Sequence, residues 1–272
     1  MNTTVDYEVE YNNRARVPEH PSLFAGWAKD ATAYRERHAP RSISYGPGAR
    51  NMIDFFPGDR EGPIVVFIHG GYWQSLDGSS FSHLAGGLNA HGISVAIPSY
   101  DLCPSVTVDD IIQQIRAASR ELARLGRSLV ISGHSAGGHL AACMLATDWP
   151  AFDASLPEDL VVAAYAISGL FDLGPLVETS INTALRLDHA SATAASPLFW
   201  NVPLRGSLDA VVGENESAEY FRQSRTIVEI WGAAGVATRF GVVPDANHFT
   251  AIAPLADPQS PMVLRLKELA TR

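Results

Sequence analysis

Ser135 is the residue around which a chemistry can be built. It sits at the centre of Gly133-His134-Ser135-Ala136-Gly137, with a further glycine at Gly138. An apolar run, Leu129–Ile131, leads directly in, and a small-residue stretch, GGHLAACMLA, leads directly out. A strand–turn–helix of this kind lifts a serine hydroxyl above the end of a sheet. Glycines two before and two after the serine let neighbouring backbone come close. The helix N-terminus that follows favours negative charge developing beside it. The chemistry this predicts is acyl transfer, in which a serine oxygen adds to a carbonyl and preorganised N–H groups receive the oxyanion.

Those donors are expected from His69-Gly70-Gly71-Tyr72-Trp73, directly after the apolar run Ile64–Ile68. Glycines let the backbone turn its amides inward, and the N–H groups of Gly71 and Tyr72, with that of Ala136, are assigned to the oxyanion. The general base is expected late in the chain. His248 lies in Pro244-Asp245-Ala246-Asn247-His248-Phe249, after the last strand-like run. That places it at the edge of the sheet where open α/β folds bind ligands. The acid should follow the preceding run, whose loop reads Gly213-Glu214-Asn215-Glu216-Ser217. Glu214 and Glu216 could each orient the imidazole, and Asp245 is a weaker third candidate. The residues alone leave the choice among the three open.

Other conspicuous residues read more plainly. His69, at a strand exit, is expected to hydrogen-bond its own loop; His134 is the variable residue of the turn and His139 a helix-face residue. His83, His91 and His189 show no spacing of the H-E-x-x-H type, so no metal is expected. No G-x-G-x-x-G follows the first strand and no Walker pattern occurs, so no cofactor is expected. Trp73, Phe249 and Trp200 lie in loops at strand ends or in an insertion, and are assigned to an apolar, aromatic-lined pocket for an aryl or short acyl substrate.

Positioning these residues requires a sheet. Ile64–Ile68, Ser94–Ile97, Ser128–Ile131, Val161–Ile167, Leu208–Val212 and Thr238–Val243 are apolar runs without polar alternation, as in parallel strands covered on both faces. Helical stretches alternate with them: Phe81–Ala90, Val108–Leu125, Ala136–Ala146, Ala218–Ala233 and Ser260–Ala270. The stretch Val108–Leu125 carries Ile111, Ile112, Ile115, Ala118, Leu122 and Leu125 at helical period. Alternation of this kind predicts a doubly wound, mostly parallel α/β sheet of about eight strands with right-handed crossovers. Ser42–Tyr45 and Asn51–Phe55, around Gly46-Pro47-Gly48, predict a hairpin-like antiparallel edge. Residues 1–40 read as a polar arm over the domain, with a helix over Leu23–His38. The stretch from about 168 to 206 lacks a strand and reads as a small helical cap. The whole, 1–272, is expected to be a single domain.

Composition narrows the class. The net charge is −9 with scattered Lys and Arg, which gives no electrostatic footprint for nucleic acid. No signal-like N-terminus and no long apolar run occurs, so a soluble cytoplasmic protein is expected, not a membrane one. The two cysteines, Cys103 and Cys143, read as buried small hydrophobes in a reducing compartment. The expected partner is a small-molecule substrate, with a homodimer left open.

HGGYW paired with GHSAGG, and Tyr100-Asp101-Leu102-Cys103-Pro104 after the third sheet run, resemble the hormone-sensitive-lipase-like branch of the α/β hydrolases. Tyr72 stands where that branch has a third glycine, and HGG-x-W is similar instead to the motif of the kynurenine formamidase (arylformamidase) family. The resemblance runs from about Tyr45 to the C-terminus. It implies a metal-independent serine hydrolase cleaving N-formylkynurenine, with Ser135, Glu216 and His248 at the matching positions. A carboxylesterase for short acyl esters is the alternative reading, and a hydrolase-fold binding protein without catalysis the rival from another class.

Overall fold

A computed structural model describes residues 5–271 of the chain. Three helices open it: α1 (Tyr7–Tyr11), α2 (Asn13–Arg16) and α3 (His20–Arg37). Asp6 caps α1 by accepting from the Val9 amide at 3.1 Å, and Asn12 caps α2 by accepting from Ala15 at 3.1 Å. The sequence predicts only the last of the three, because helices of one turn carry no readable period. Pro21 in the first turn starts α3 earlier than the apolar pattern suggests.

Eight strands follow: β1 (Arg41–Ser44), β2 (Met52–Phe56), β3 (Ile64–Ile68), β4 (Val95–Pro98), β5 (Leu129–His134), β6 (Val161–Ile167), β7 (Ser207–Gly213) and β8 (Ala237–Val243). They form one sheet in the order β1-β2-β4-β3-β5-β6-β7-β8. The pairs β1–β2 and β2–β4 are antiparallel, and every other pair is parallel. The predicted antiparallel edge and parallel centre are both present. Between and after the strands run α4 (Ala85–Asn89), α5 (Val108–Ala123), α6 (Ala136–Leu145), α7 (Trp149–Phe152), α8 (Asn182–Leu185), α9 (His189–Ala194), α10 (Ala218–Ala233) and α11 (Pro261–Leu269). Among the described residues no helix is long and apolar enough to cross a membrane.

Side chains alternate across each strand, so one apolar run feeds two cores. In β3, Ile64, Val66 and Ile68 face the layer holding α5, α6 and α10, while Val65 and Phe67 face α4 and α11. The stripe on α5 seats Ile111, Ile112, Ile115 and Leu122 in the first layer, all essentially buried. Each such side chain contributes roughly 1.5–3 kcal/mol. A capping box between Thr107 and Asp110 starts this helix.

Three expectations differ from what is observed. The helix over Phe81–Ala90 divides into a 3-10 segment, Gly78–Leu84, and α4. At Gly87, a Cβ would meet the Leu255 carbonyl oxygen at 2.2 Å, so the bare backbone allows a close approach there. Leu125 lies past the end of α5 and is exposed. Strand β8 is not covered on both faces: it is the sheet edge, with Ala237, Arg239 and Val242 exposed.

Register decides what this frame can do. Ile68 pairs with Gly133, Gly133 with Ala166, Ile167 with Val211, and Gly213 with Val243. The C-terminal ends of β3, β5, β6, β7 and β8 are therefore flush. Their five following loops open on one rim.

Candidate active site

The turn from β5 into α6 holds Ser135 at φ 57° and ψ −116°, a left-handed geometry that side chains rarely adopt. Its surroundings enforce it. A Cβ on Gly133 would meet the Gly137 carbonyl oxygen at 2.1 Å, and one on Gly137 would meet the Ile68 carbonyl oxygen at 1.9 Å. Only glycine permits β3, β5 and α6 to close this far. The Ser135 amide donates to the Ile167 carbonyl at 2.8 Å. Its Oγ is buried and has no hydrogen-bond partner among the described residues. The hydroxyl is held at a cavity wall and left uncommitted.

His248 lines the same cavity. Its Nδ1 donates to Glu216 Oε2 at 2.7 Å, with the Glu216 side chain fully buried. The other carboxylate oxygen, Oε1, accepts from Ser168 Oγ at 2.5 Å and from the Gly213 amide at 2.7 Å. Both carboxylate oxygens are thus engaged, which fixes the imidazole with Nε2 as its free nitrogen. Glu216 meets the histidine, and the other two candidate acids do not. Glu214 is exposed and accepts from the Asp245 amide at 2.9 Å, and Asp245 is itself exposed. The imidazole is also walled by rings: Tyr220 lies at 4.6 Å between centroids, His134 at 4.7 Å and Phe249 at 5.4 Å.

His134 Nε2 donates to the His248 carbonyl at 2.8 Å. Burial, reinforced by the neighbouring His248, holds His134 well below the ordinary histidine range. It stays neutral beside His248. His69 is structural, as expected: its Nδ1 donates to the Gly70 carbonyl at 2.8 Å and its ring stacks on Tyr100 at 4.2 Å. Burial pushes its pKa down to about 4. Cys103 and Cys143 are buried and unpaired with one another.

The loop after β3 runs through Gly71, Tyr72 and Trp73 at φ 109°, 50° and 56°. Three successive left-handed residues curl the backbone tightly at this rim. The amides of Gly71, Tyr72 and Ala136 have no acceptor among the described residues. Gly71 and Tyr72 line the cavity together with Ser135.

The cavity has a volume of about 370 Å³. Phe249 lines it; Trp73 and Trp200 do not. Trp73 is fully buried against His139, with ring centroids 5.0 Å apart, and belongs to the core. The left-handed backbone at Trp73 turns its side chain under the loop. Trp200 donates Nε1–H to the Ala194 carbonyl at 2.7 Å and lies under the Arg116 guanidinium on the outer helical layer. The stretch expected to cover the site carries short helices, including α8 and α9, yet only Ser180 and Ile181 of it line the cavity. The N-terminal segment supplies far more of the wall, from Glu8 and Tyr11 to Phe24 and Trp27.

Sequence reasoning misses several of these residues. Ser168 is one, since a serine at a strand end is common and its partner lies 48 residues away. Tyr220 is another, visible only as the third residue of the helix after the acid loop. Tyr72, Tyr220, Tyr11 and Asn13 form a buried hydrogen-bond cluster joining the N-terminal segment to this rim. Glu8 ties the same segment to Ser180, accepting from its amide and its hydroxyl at 2.7 Å each.

A family model described as the alpha/beta hydrolase family matches residues 65–269. A kynurenine formamidase from Danio rerio is 30% identical over 227 residues, covering 79% of this chain and 76% of the relative. One from Drosophila melanogaster is also 30% identical over 227 residues, covering 77% and 74%. A solved structure from a Silicibacter species, provisionally described as a thioesterase, superposes with a TM-score of 0.85 at 34% identity, covering 99% of this chain and 100% of its own.

Proposed function

This chain belongs to the alpha/beta hydrolase family, and from that premise we propose that it is a metal-independent serine hydrolase that cleaves an aryl formamide such as N-formylkynurenine. The observation that carries the proposal is a buried, strained and uncommitted Ser135 hydroxyl sharing one cavity with a His248 whose far nitrogen is fixed by Glu216. Two kynurenine formamidases among the relatives support the choice of substrate.

In this reading His248 Nε2 takes the Ser135 proton as Oγ bonds to the formyl carbon. The carbonyl π electrons move onto oxygen, and the Gly71, Tyr72 and Ala136 amides receive that charge. Glu216 holds the tautomer and stabilises the imidazolium. Collapse breaks the C–N bond, and Nε2 returns its proton to the leaving nitrogen. Water then attacks the formyl-serine, giving up a proton to Nε2, and breakdown releases formate with Ser135 reprotonated. In apo enzymes a catalytic nucleophile–base hydrogen bond is often long and tightens in the substrate complex. Phe249, Phe24 and Trp27 offer aromatic walls to an aryl leaving group.

The test is labelling by a fluorophosphonate together with formate release from N-formylkynurenine. Wild type should label and turn over. S135A should do neither, with turnover down by at least about four orders of magnitude. Undiminished hydrolysis by S135A refutes the serine mechanism. Hydrolysis of short acyl esters is the second reading, favoured by the full-length likeness to a protein provisionally described as a thioesterase. Rates on p-nitrophenyl acetate beside N-formylkynurenine separate the two.

A further inference from the structure

Asn13 is 4% exposed, and what remains open of it lines the cavity. Its Nδ2 donates to Tyr220 Oη at 2.7 Å and to Tyr72 Oη at 3.2 Å. Tyr72 Oη donates to the Tyr11 carbonyl at 2.6 Å, and the two tyrosine oxygens are 2.7 Å apart. Each hydroxyl has one proton. Tyr72 spends its own on Tyr11, so Tyr220 must donate to Tyr72. Neither has a proton left for Asn13, which must present its NH2 to both. An amide turned over would set its oxygen against two oxygens with nothing to donate. The cluster therefore fixes the orientation, and Oδ1 points away from the tyrosines. No donor among the described residues reaches Oδ1, and it is not sealed off from the cavity.

This leaves a preset acceptor on the wall of a site whose reaction makes or spares an N–H bond. It lies one side chain from the base, through Tyr220 against His248, and one from the oxyanion loop, through Tyr72. We propose that Asn13 Oδ1 accepts a hydrogen bond from the N–H of the scissile amide and so selects formamides over the corresponding esters. An ester presents a lone-pair oxygen at that place and, having displaced water, leaves Oδ1 unpaired, which is the kind of mismatch that discriminates strongly. The assignment rests on the serine-hydrolase reading of the site and adds to it the residue that distinguishes amide from ester.

Formanilide and phenyl formate test it, being alike except for the N–H, with active sites titrated by fluorophosphonate so that only folded enzyme counts. In N13A the ratio of kcat/KM for the formamide to that for the ester should fall roughly tenfold. Y220F breaks the cluster but leaves Asn13 donating to Tyr72, and should slow both substrates in step. Equal losses on both substrates in N13A would make Asn13 merely structural and overturn the proposal. Should wild type label and cleave only the ester, the formamidase reading falls. The assignment of Asn13 then stands or falls on formanilide as a competitive inhibitor, with a Ki that must rise about tenfold in N13A. Wild type that cleaves neither compound overturns both.

Discussion

Ser168 acts on the candidate base without touching it. Its hydroxyl and the Gly213 amide hold one oxygen of Glu216, leaving the other to face His248. Removing that hydroxyl in S168A should lower kcat/KM about tenfold on formamide and ester alike, since the loss falls on the shared base. Steady-state kinetics on both substrates check this, and an unchanged rate would show that Gly213 suffices. At this scale the sequence discloses residues embedded in a local pattern, such as Ser135 between its glycines and His248 after a strand. It does not disclose partners brought together by topology, such as Ser168. Nor does it tell which way a loop aromatic faces: Phe249 lines the cavity, whereas Trp73 turns into the core and Trp200 onto the outer layer.

Elements are most legible where burial is complete. Strands β3, β5 and β7 are buried at every residue; β3 reads as an unbroken apolar run, and the apolar stretches of β5 and β7 stay legible around Ser132 and Asp209. The edge strand β8 is grouped with them in the sequence despite Arg239, yet it is half open, because pattern alone does not say which strand ends a sheet. The N-terminal segment is the largest gap, since α1 and α2 are too short to show a period and are held by polar contacts to distant side chains. The closeness of α6 to β3 gives a direct test. In G137A the new methyl would meet the Ile68 carbonyl oxygen at 1.9 Å and the His69 carbonyl oxygen at 2.9 Å. Both are backbone atoms, so the helix must retreat from the loop after β3. A loss of about 3 kcal/mol or more is expected by denaturant unfolding, with activity falling further than stability. Wild-type behaviour in both would mean that the turn is looser than described.

Across the whole molecule, three buried histidines set the response to acid. Burial pushes His69 and His139 down to about 4 and holds His134 well below the ordinary range. In the unfolded chain each titrates near about 6.5. Between those values the unfolded state binds protons that the folded state refuses, so stability is whole above pH of about 6.5 and drains away as pH falls toward 4. Each histidine contributes a slope of up to about 1.4 kcal/mol per pH unit in that window. Denaturant unfolding from pH 7 to about 4.5 should show it, and H69Q should flatten the slope. A slope unaltered in H69Q would remove His69 from the account.

The backbone at Ser135 has a consequence for evolution as much as for chemistry. Its φ and ψ of 57° and −116° are those of the first central residue of a type II′ turn, where glycine is at ease and serine is not. Chemical competence and conformational comfort therefore oppose one another at a single position. S135G, which lacks the proposed nucleophile, should unfold at a higher temperature than wild type, by an amount matching about 1–2 kcal/mol. A lineage that lost the need for the reaction would find the inert molecule to be the sturdier one.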